Sequence, residues 1–298
     1  WWGLAQLTQS QRPVRKTHTP LHMSGSSLDS LLECPLKWFL DREVKAQVSR
    51  GSATAFGSIV HAIAEYVAKG ELDQNPEQIQ RLISDSWQAL AYEAHWQSDS
   101  DLAQAYKAAE LFLDYHNLTP RVFVAAEGRY QASLTVTTPS GKPEKIDLSG
   151  ILDRVETDES GRLVAIDFKN VKSPPTKAAI VQNGQLGVYQ LLLRDHQVVE
   201  LDDEGEDPPF GAALVQLRVE ASQPKVQRQE AINFDNSPTW IEVKLGEAAE
   251  IIRSETFVPQ VNPSCRYCSY TLVCPTQSSD IFSRVLINES EIDDDAIT

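Results

Sequence analysis

"LVAIDFKN", Leu163 to Asn170, is the stretch whose reading decides the fold. It is an apolar run interrupted by one acid and one base. Side chains on a strand alternate between faces. Asp167 and Lys169 therefore share one face, while Ile166 and Phe168 point into a core on the other. An Asp-x-Lys triplet on a strand is most often a solvated pair worth about 0–1 kcal/mol. The alternative is a metal-dependent active site. Nothing inside the octet separates the two, so the rest of the chain must.

The preceding strand bears first on the question. "GILDRVE" and "LVAIDFK" flank "TDESGR", which reads as a hairpin with Glu159-Ser160-Gly161 as its loop and Gly161 left-handed. Asp158 then faces Arg162, and Asp153 falls opposite Asp167, within about one residue if a bulge intervenes. Two carboxylates opposed across a ladder repel. Something positive belongs between them: Lys169, or a divalent cation, which prefers hard oxygen ligands. "GSIVHAIAE" sets His61 beside a helical stripe of Ile59, Ile63 and Val67, with Glu65 one turn on. Alone, His61 reads as a packed or surface residue. Beside two aspartates it is a reasonable third ligand, because neutral imidazole is a common metal donor.

The surrounding text sets these residues in a domain. Residues 1–23 are polar and read as a linker from a preceding domain. "SSLDSLLECPLKWFLDR" is helical from a serine cap and is interrupted by Pro35. "GSIVHAIAEYVAKG", "PEQIQRLISDSWQALAYEAHW" and "DLAQAYKAAELFLDYH" are three more amphipathic helices. After Pro120 the period becomes two, in "RVFVAAEGRYQASLTV" (one or two strands), "KIDLSGILDRVE" and "LVAIDFK". A helix, "AAIVQNGQLGVYQLLLR", a strand, "GAALVQLRV", and a helix, "TWIEVKLGEAAEIIRSETF", complete the order. Helices followed by an antiparallel meander and then helix, strand and helix predict an α+β domain or an α/β domain with a mixed sheet over residues 24–280.

Charge at first argues against a nucleic-acid partner, since the 298 residues carry a net charge of -15. Its distribution weakens the objection. Residues 195–208 hold seven acids and residues 286–298 hold five, with no Lys or Arg in either. Setting these twelve aside leaves 27 basic against 30 acidic residues. The acidity therefore belongs to a loop and to a tail over 281–298. No apolar run approaches a membrane span, and the first residues lack the pattern of a signal peptide. A cytoplasmic protein without a membrane partner is the expectation. Met23 is the only methionine, so the chain reads as a fragment of a longer protein or a processed product.

The four cysteines are Cys34, Cys265, Cys268 and Cys274. Three form C-x2-C-x5-C and the fourth lies far upstream. Without a secretion signal, four thiolates on one metal centre are a better reading than disulfides. Zinc and an iron–sulfur cluster both accept four cysteines. Either would clasp the first helix to the last segment.

In combination these residues resemble one family. The order His61, Asp153, "DFK" and "QLGVY" is similar to the RecB-type branch of the PD-(D/E)XK nucleases. The Cys34 plus Cys265/Cys268/Cys274 set is similar to the iron–sulfur staple of AddB-type modules. The "WWG" start with its basic linker looks like the run-in from a helicase motor, as in AddAB- and AdnAB-type helicase–nucleases. The resemblance covers about Ser24 to Pro275 and implies a bacterial protein. It implies a restriction-endonuclease-like αβββαβ core with an N-terminal helical insertion, its two ends joined by a [4Fe-4S] clasp, with zinc as the alternative. It implies that Asp153, Asp167 and His61 bind Mg²⁺ or Mn²⁺ with the carbonyl of Phe168, and that Lys169 orients or activates water. Gln185 and Tyr189 match the family's Q-x3-Y and would touch DNA or the acids. Glu127 sits where the family often has a glutamate. Asn170 departs from the Thr or Ser frequent after the lysine.

Two functions follow as expectations. The first is a metal-dependent deoxyribonuclease, an exonuclease acting on single-stranded DNA fed by a motor, within a two-subunit helicase–nuclease for end resection and recombinational repair. The second is a non-catalytic DNA-binding or scaffold module stapled by the four-cysteine centre. Retention of both aspartates and the lysine favours the first.

Overall fold

The computed structural model describes residues 13–277, except 14, 17, 47–51, 89–94, 119–120, 159–160, 172 and 196–210. The acidic loop after Asp195 and the acidic tail thus lie outside the described residues. Six described strands make one mixed sheet: β1 (Leu21–Met23), β2 (Val122–Thr137), β3 (Pro143–Thr157), β4 (Leu163–Lys169), β5 (Gly211–Gln216) and β6 (Lys225–Gln229). The described helices are α1 (Gly25–Glu33), α2 (Pro35–Arg42), α3 (Ser52–Ala68), α4 (Pro76–Gln88), α5 (His95–Leu118), α6 (Lys177–Val181), α7 (Gly184–Asp195) and α8 (Trp240–Ser254).

The hairpin closes as its turn chemistry dictates. Gly161 adopts φ +77, and the Asp158 N–H donates to the Arg162 carbonyl at 2.9 Å. Arg154 pairs with Ile166 and Thr157 with Leu163, so the same register sets Asp153 in line with Asp167. β4 then runs parallel to β5, and α6 and α7 cross between them. All of β4 except Lys169 is buried, because helices cover both faces of the sheet. On one face Leu152, Ala165, Leu186, Leu192 and Leu245 share a core. On the other, Ile83, Phe112, Ile166, Phe168 and Val215 share a second core. Each fully buried large apolar side chain contributes about 1.5–3 kcal/mol, so strand and helices fix one another.

The two edges of β3 are used differently. β2 pairs with β3 along nearly its whole length. The opposite edge is split: β1 takes Ile146–Leu148 in parallel, and β4 takes Arg154–Thr157 antiparallel. Ser149–Asp153 have no described strand on that side. β1 corrects the reading of residues 1–23 as linker, since Leu21 and Met23 are buried in the core and Leu21–Met23 belong to the sheet. β6 escaped the period-two reading because "KVQRQ" carries four polar residues in five. Its Gln227 and Gln229 are nevertheless buried, held by Gln216, Gln190 and backbone carbonyls. Pro35 divides the first helical run in two: Cys34 ends α1, and Pro35 starts α2, where a missing N–H costs nothing.

A buried charge cluster ties α5 to β3. Glu156 is 0% exposed and accepts from Arg154 Nε at 2.6 Å, from the Tyr115 hydroxyl at 2.8 Å and from Arg121 at 3.4 Å. Arg154 also meets Nδ1 of His116 at 2.8 Å. Removing the carboxylate strands a buried guanidinium. Glu156→Ala should therefore destabilise the fold by about 3–5 kcal/mol in denaturant unfolding, whereas an exposed acid such as Glu77 should tolerate the same change with little effect.

Candidate active site

The site forms where β3 and β4 part. Their ladder stops at Arg154 and Ile166. Just beyond, the Phe168 N–H donates to Oδ2 of Asp153 at 2.7 Å instead of to backbone. Strand alternation breaks at the same level. Leu152 and Val155, three apart, sit in one core, as do Ala125 and Tyr130, five apart. The irregular residues are Asp153 on β3 and Glu127 on β2, and Glu127 has φ +51. A left-handed backbone at a non-glycine residue costs on the order of 1 kcal/mol. Here it accompanies a Glu127 carboxylate brought next to Asp153.

His61 reaches the pair from α3. Its Nδ1 lies 3.4 Å from Oδ2 of Asp153 and 3.8 Å from Oε1 of Glu127. One donor atom from each of His61, Glu127 and Asp153 falls within 4.8 Å of the others, a spacing that a single cation can bridge. Burial alone would lower the His61 pKa. The hydrogen bonds to Asp153 and Glu127, and the charges of Asp153 and Asp167, outweigh it and hold the imidazole up at about 10.

Asp167 stands beside this cluster with partners of its own. Its Oδ1 accepts from Gln185 Nε2 at 2.9 Å and from the Tyr189 hydroxyl at 3.2 Å. Lys169 Nζ lies 2.7 Å from Oδ2, off the hydrogen-bonding direction, so that buried oxygen has an ion pair but no well-aimed donor. Lys169 also donates to Oε1 of Gln185 at 3.0 Å. Burial, then repulsion from Asp153, pushes the Asp167 carboxyl up to about 6, against the pull of Lys169. The Tyr189 hydroxyl is also pushed up, by burial and then by both aspartates. The carboxylates and the lysine singled out from the sequence are therefore neighbours. Phe168 enters through its N–H, and its ring packs edge-on to Phe112 and Tyr115.

Gln185 is positioned by a residue that sequence reading passed over. Asp29 on α1 accepts from the Gly184 and Gln185 N–H groups at 2.9 and 3.0 Å, capping α7 from another helix. The contact requires two glycines. A Cβ on Gly25 would lie 2.6 Å from Gln185 Cα, and one on Gly184 would lie 2.3 Å from Asp29 Oδ1. "SSLDSLL" offers no local sign of this, since a cap normally comes from the helix's own flank.

The cysteines lie at the other end of α1. Among the described residues all four are free and half-buried, and they do not converge as a tight group. Tetrahedral zinc with Zn–S of about 2.3 Å needs sulfurs roughly 3.8 Å apart. The segments that carry them do meet. Ser264 donates to Glu33 at 2.7 Å, Asn262 to the Glu33 carbonyl at 3.2 Å and Tyr270 to Asp41 at 2.6 Å, while Phe257 stacks on Phe39 at 4.7 Å.

The electrostatics can be read directly. In metal-free protein the His61 imidazole should remain protonated well above pH 8. Asp153→Asn should lower its pKa, because it removes the nearer carboxylate. Titration of the imidazole carbon and proton shifts by NMR distinguishes the two forms.

Comparison with known proteins identifies the family. A profile of the PD-(D/E)XK nuclease superfamily matches residues 22–275. Over 232 residues the chain is 22% identical to an ATP-dependent helicase/deoxyribonuclease subunit of Streptococcus uberis (strain ATCC BAA-854 / 0140J), a match over 74% of this chain. The matched region spans 20% of that relative's length. Among solved structures, the protein SSO0001 is 14% identical over 88% of this chain and 89% of its own, with a TM-score of 0.41. A candidate exonuclease from Eubacterium rectale is 12% identical over 78% and 77%, with a TM-score of 0.36. With the superfamily profile running from β1 past the last helix and through every residue of the acid cluster, this chain belongs to the PD-(D/E)XK nuclease superfamily.

Proposed function

We propose that the chain is a Mg²⁺- or Mn²⁺-dependent deoxyribonuclease, acting on single-stranded DNA as an exonuclease. In this reading it is the nuclease module of a helicase–nuclease that resects DNA ends in recombinational repair. Its partners are a motor domain and a second helicase–nuclease subunit. The name of the Streptococcus uberis relative supports the helicase partnership. The convergence of His61, Glu127 and Asp153 beside buried Asp167 and its ion-pair partner Lys169 carries the assignment.

His61, Glu127 and Asp153 would hold the metal, with Asp167 and the Phe168 carbonyl on its border. Bound there, the ion would polarise the phosphodiester and make water a better nucleophile near neutral pH. The chain's own groups do the rest. Gln185 and Tyr189 fix the Asp167 carboxylate by two hydrogen bonds to one oxygen. Lys169, tethered by Asp167 and Gln185, orients the attacking water and offers positive charge to the phosphate oxygens. Burial of Asp167 keeps these interactions in a medium where they are strong.

We also assign Cys34, Cys265, Cys268 and Cys274 to one metal centre, an iron–sulfur cluster in preference to zinc. The C-x2-C-x5-C spacing, with one CxxC pair where zinc sites more often use two, supports the cluster over zinc. The docking of Ser264 and Asn262 on Glu33 supports a joint centre.

Purified protein should degrade single-stranded DNA with Mg²⁺ or Mn²⁺ and not with EDTA. Asp153→Asn, Asp167→Asn and Lys169→Ala should each lower kcat by about 100-fold or more. Unchanged activity in Asp167→Ala overturns the assignment, and DNA binding without cleavage by the wild type indicates the scaffold reading. Preparations should contain iron and acid-labile sulfide. Stoichiometric zinc in a colourless protein refutes the cluster. Cys268→Ala should lower the melting temperature more than it alters the chemical step, because the centre joins distant segments.

A further inference from the structure

The open edge of β3 leads away from the acid cluster. Between Leu148, the last residue paired with β1, and Arg154, the first paired with β4, this edge has no described neighbour. A cavity of about 480 Å³ lies against it. Its wall begins at Gln185, which holds Asp167, and passes Ser149. It continues to Ser24 and Ser26 at the start of α1 and to Arg129 and Gln131 on β2.

Its chemistry is unlike that of the chain as a whole. In a sequence with net charge -15, no carboxylate among the described residues lines this cavity. The one charged residue among the described lining, Arg129, is exposed, and its guanidinium has no ion pair or hydrogen bond with any described residue. A partner-free guanidinium among hydroxyl and amide groups is a donor set for an oxyanion. Arginine is the residue best matched to phosphate, and neutral hydroxyls and amides commonly supply the remaining phosphate contacts. A carboxylate-free slot also spares a polyanion the repulsion it meets at the acid cluster.

We propose that this notch binds a phosphate of the DNA strand neighbouring the one to be cut, with Arg129 as its charged contact. The inference rests on the nuclease reading and assigns it a subsite. Seating that phosphate would hold the strand in register, so the notch acts mainly on binding and on where the cut falls. The phosphate could be an internal diester or the monoester at a strand end. Both offer anionic non-bridging oxygens.

The test uses the 298-residue chain and short labelled single strands. Without divalent metal, Arg129→Ala should weaken binding about threefold to tenfold and lower the slope of log affinity against log salt by about 0.7. Arg129→Lys should restore most of the slope. Arg81→Ala, on the outer face of α4, should change neither. With Mg²⁺ or Mn²⁺, a neutral methylphosphonate next to the cleaved position should raise KM for the wild type and have little effect on Arg129→Ala. Dependence on a terminal phosphate instead, lost in Arg129→Ala, assigns the notch to a strand end. Equal affinity, salt slope and methylphosphonate response in wild type and Arg129→Ala overturn the notch while cleavage still stands. Absence of cleavage by the wild type overturns the nuclease reading, and the metal-free binding comparison still decides the notch.

Discussion

One hydrogen bond makes the site possible: the Phe168 N–H donating to the Asp153 carboxylate at 2.7 Å. A β-ladder normally satisfies its N–H groups with the carbonyls of the next strand, and a buried N–H left without a partner is costly. At this point the side chain of one strand takes the place of its backbone. The two strands can then separate without stranding the donor, and the space between them holds the acid cluster. Asp153 is thereby oriented by the sheet itself, in a charge-assisted bond stronger than a neutral one.

The same separation leaves β3 with an unshared stretch of edge. β1 occupies the edge below it and β4 the edge above. Elsewhere an open edge invites pairing with another chain. Here α7 packs beneath it, so closely that a Cβ on Gly150 would lie 2.9 Å from Leu192 Cδ1. The edge faces a polar cavity of about 480 Å³.

Several features of the centre oppose stability. Glu127 takes a left-handed backbone. Asp167 is buried, and its pKa is raised by burial and by the like charge of Asp153. His61 keeps its proton between two carboxylates at a half-buried position. Each costs free energy that the surroundings must offset. β4, covered on both faces, and the Glu156 cluster next door supply the rigidity that holds these groups together. The acids are held close because Gln185, Tyr189, Lys169 and His61 each neutralise or hydrogen-bond one of them.

Much of this was legible in the sequence. Strand parity and a three-residue loop were enough to align Asp153 with Asp167, because hairpin register is local and the glycine's left-handed turn is specific. Helical spacing put Gln185 and Tyr189 on one face. What sequence reading could not supply were contacts between elements far apart in the chain. Asp29 caps a helix 155 residues away, and β1 pairs with a strand more than 120 residues on. Glu127 joins His61 only because two strands lose their alternation at one level. The sequence by itself thus determined the sheet's central hairpin and the acid–lysine face, since both follow from periods of two and from one glycine. Tertiary structure alone decided which groups converge, where the strands part and which edge stays open, because those depend on packing and charge between segments whose separation in sequence carries no periodic signal.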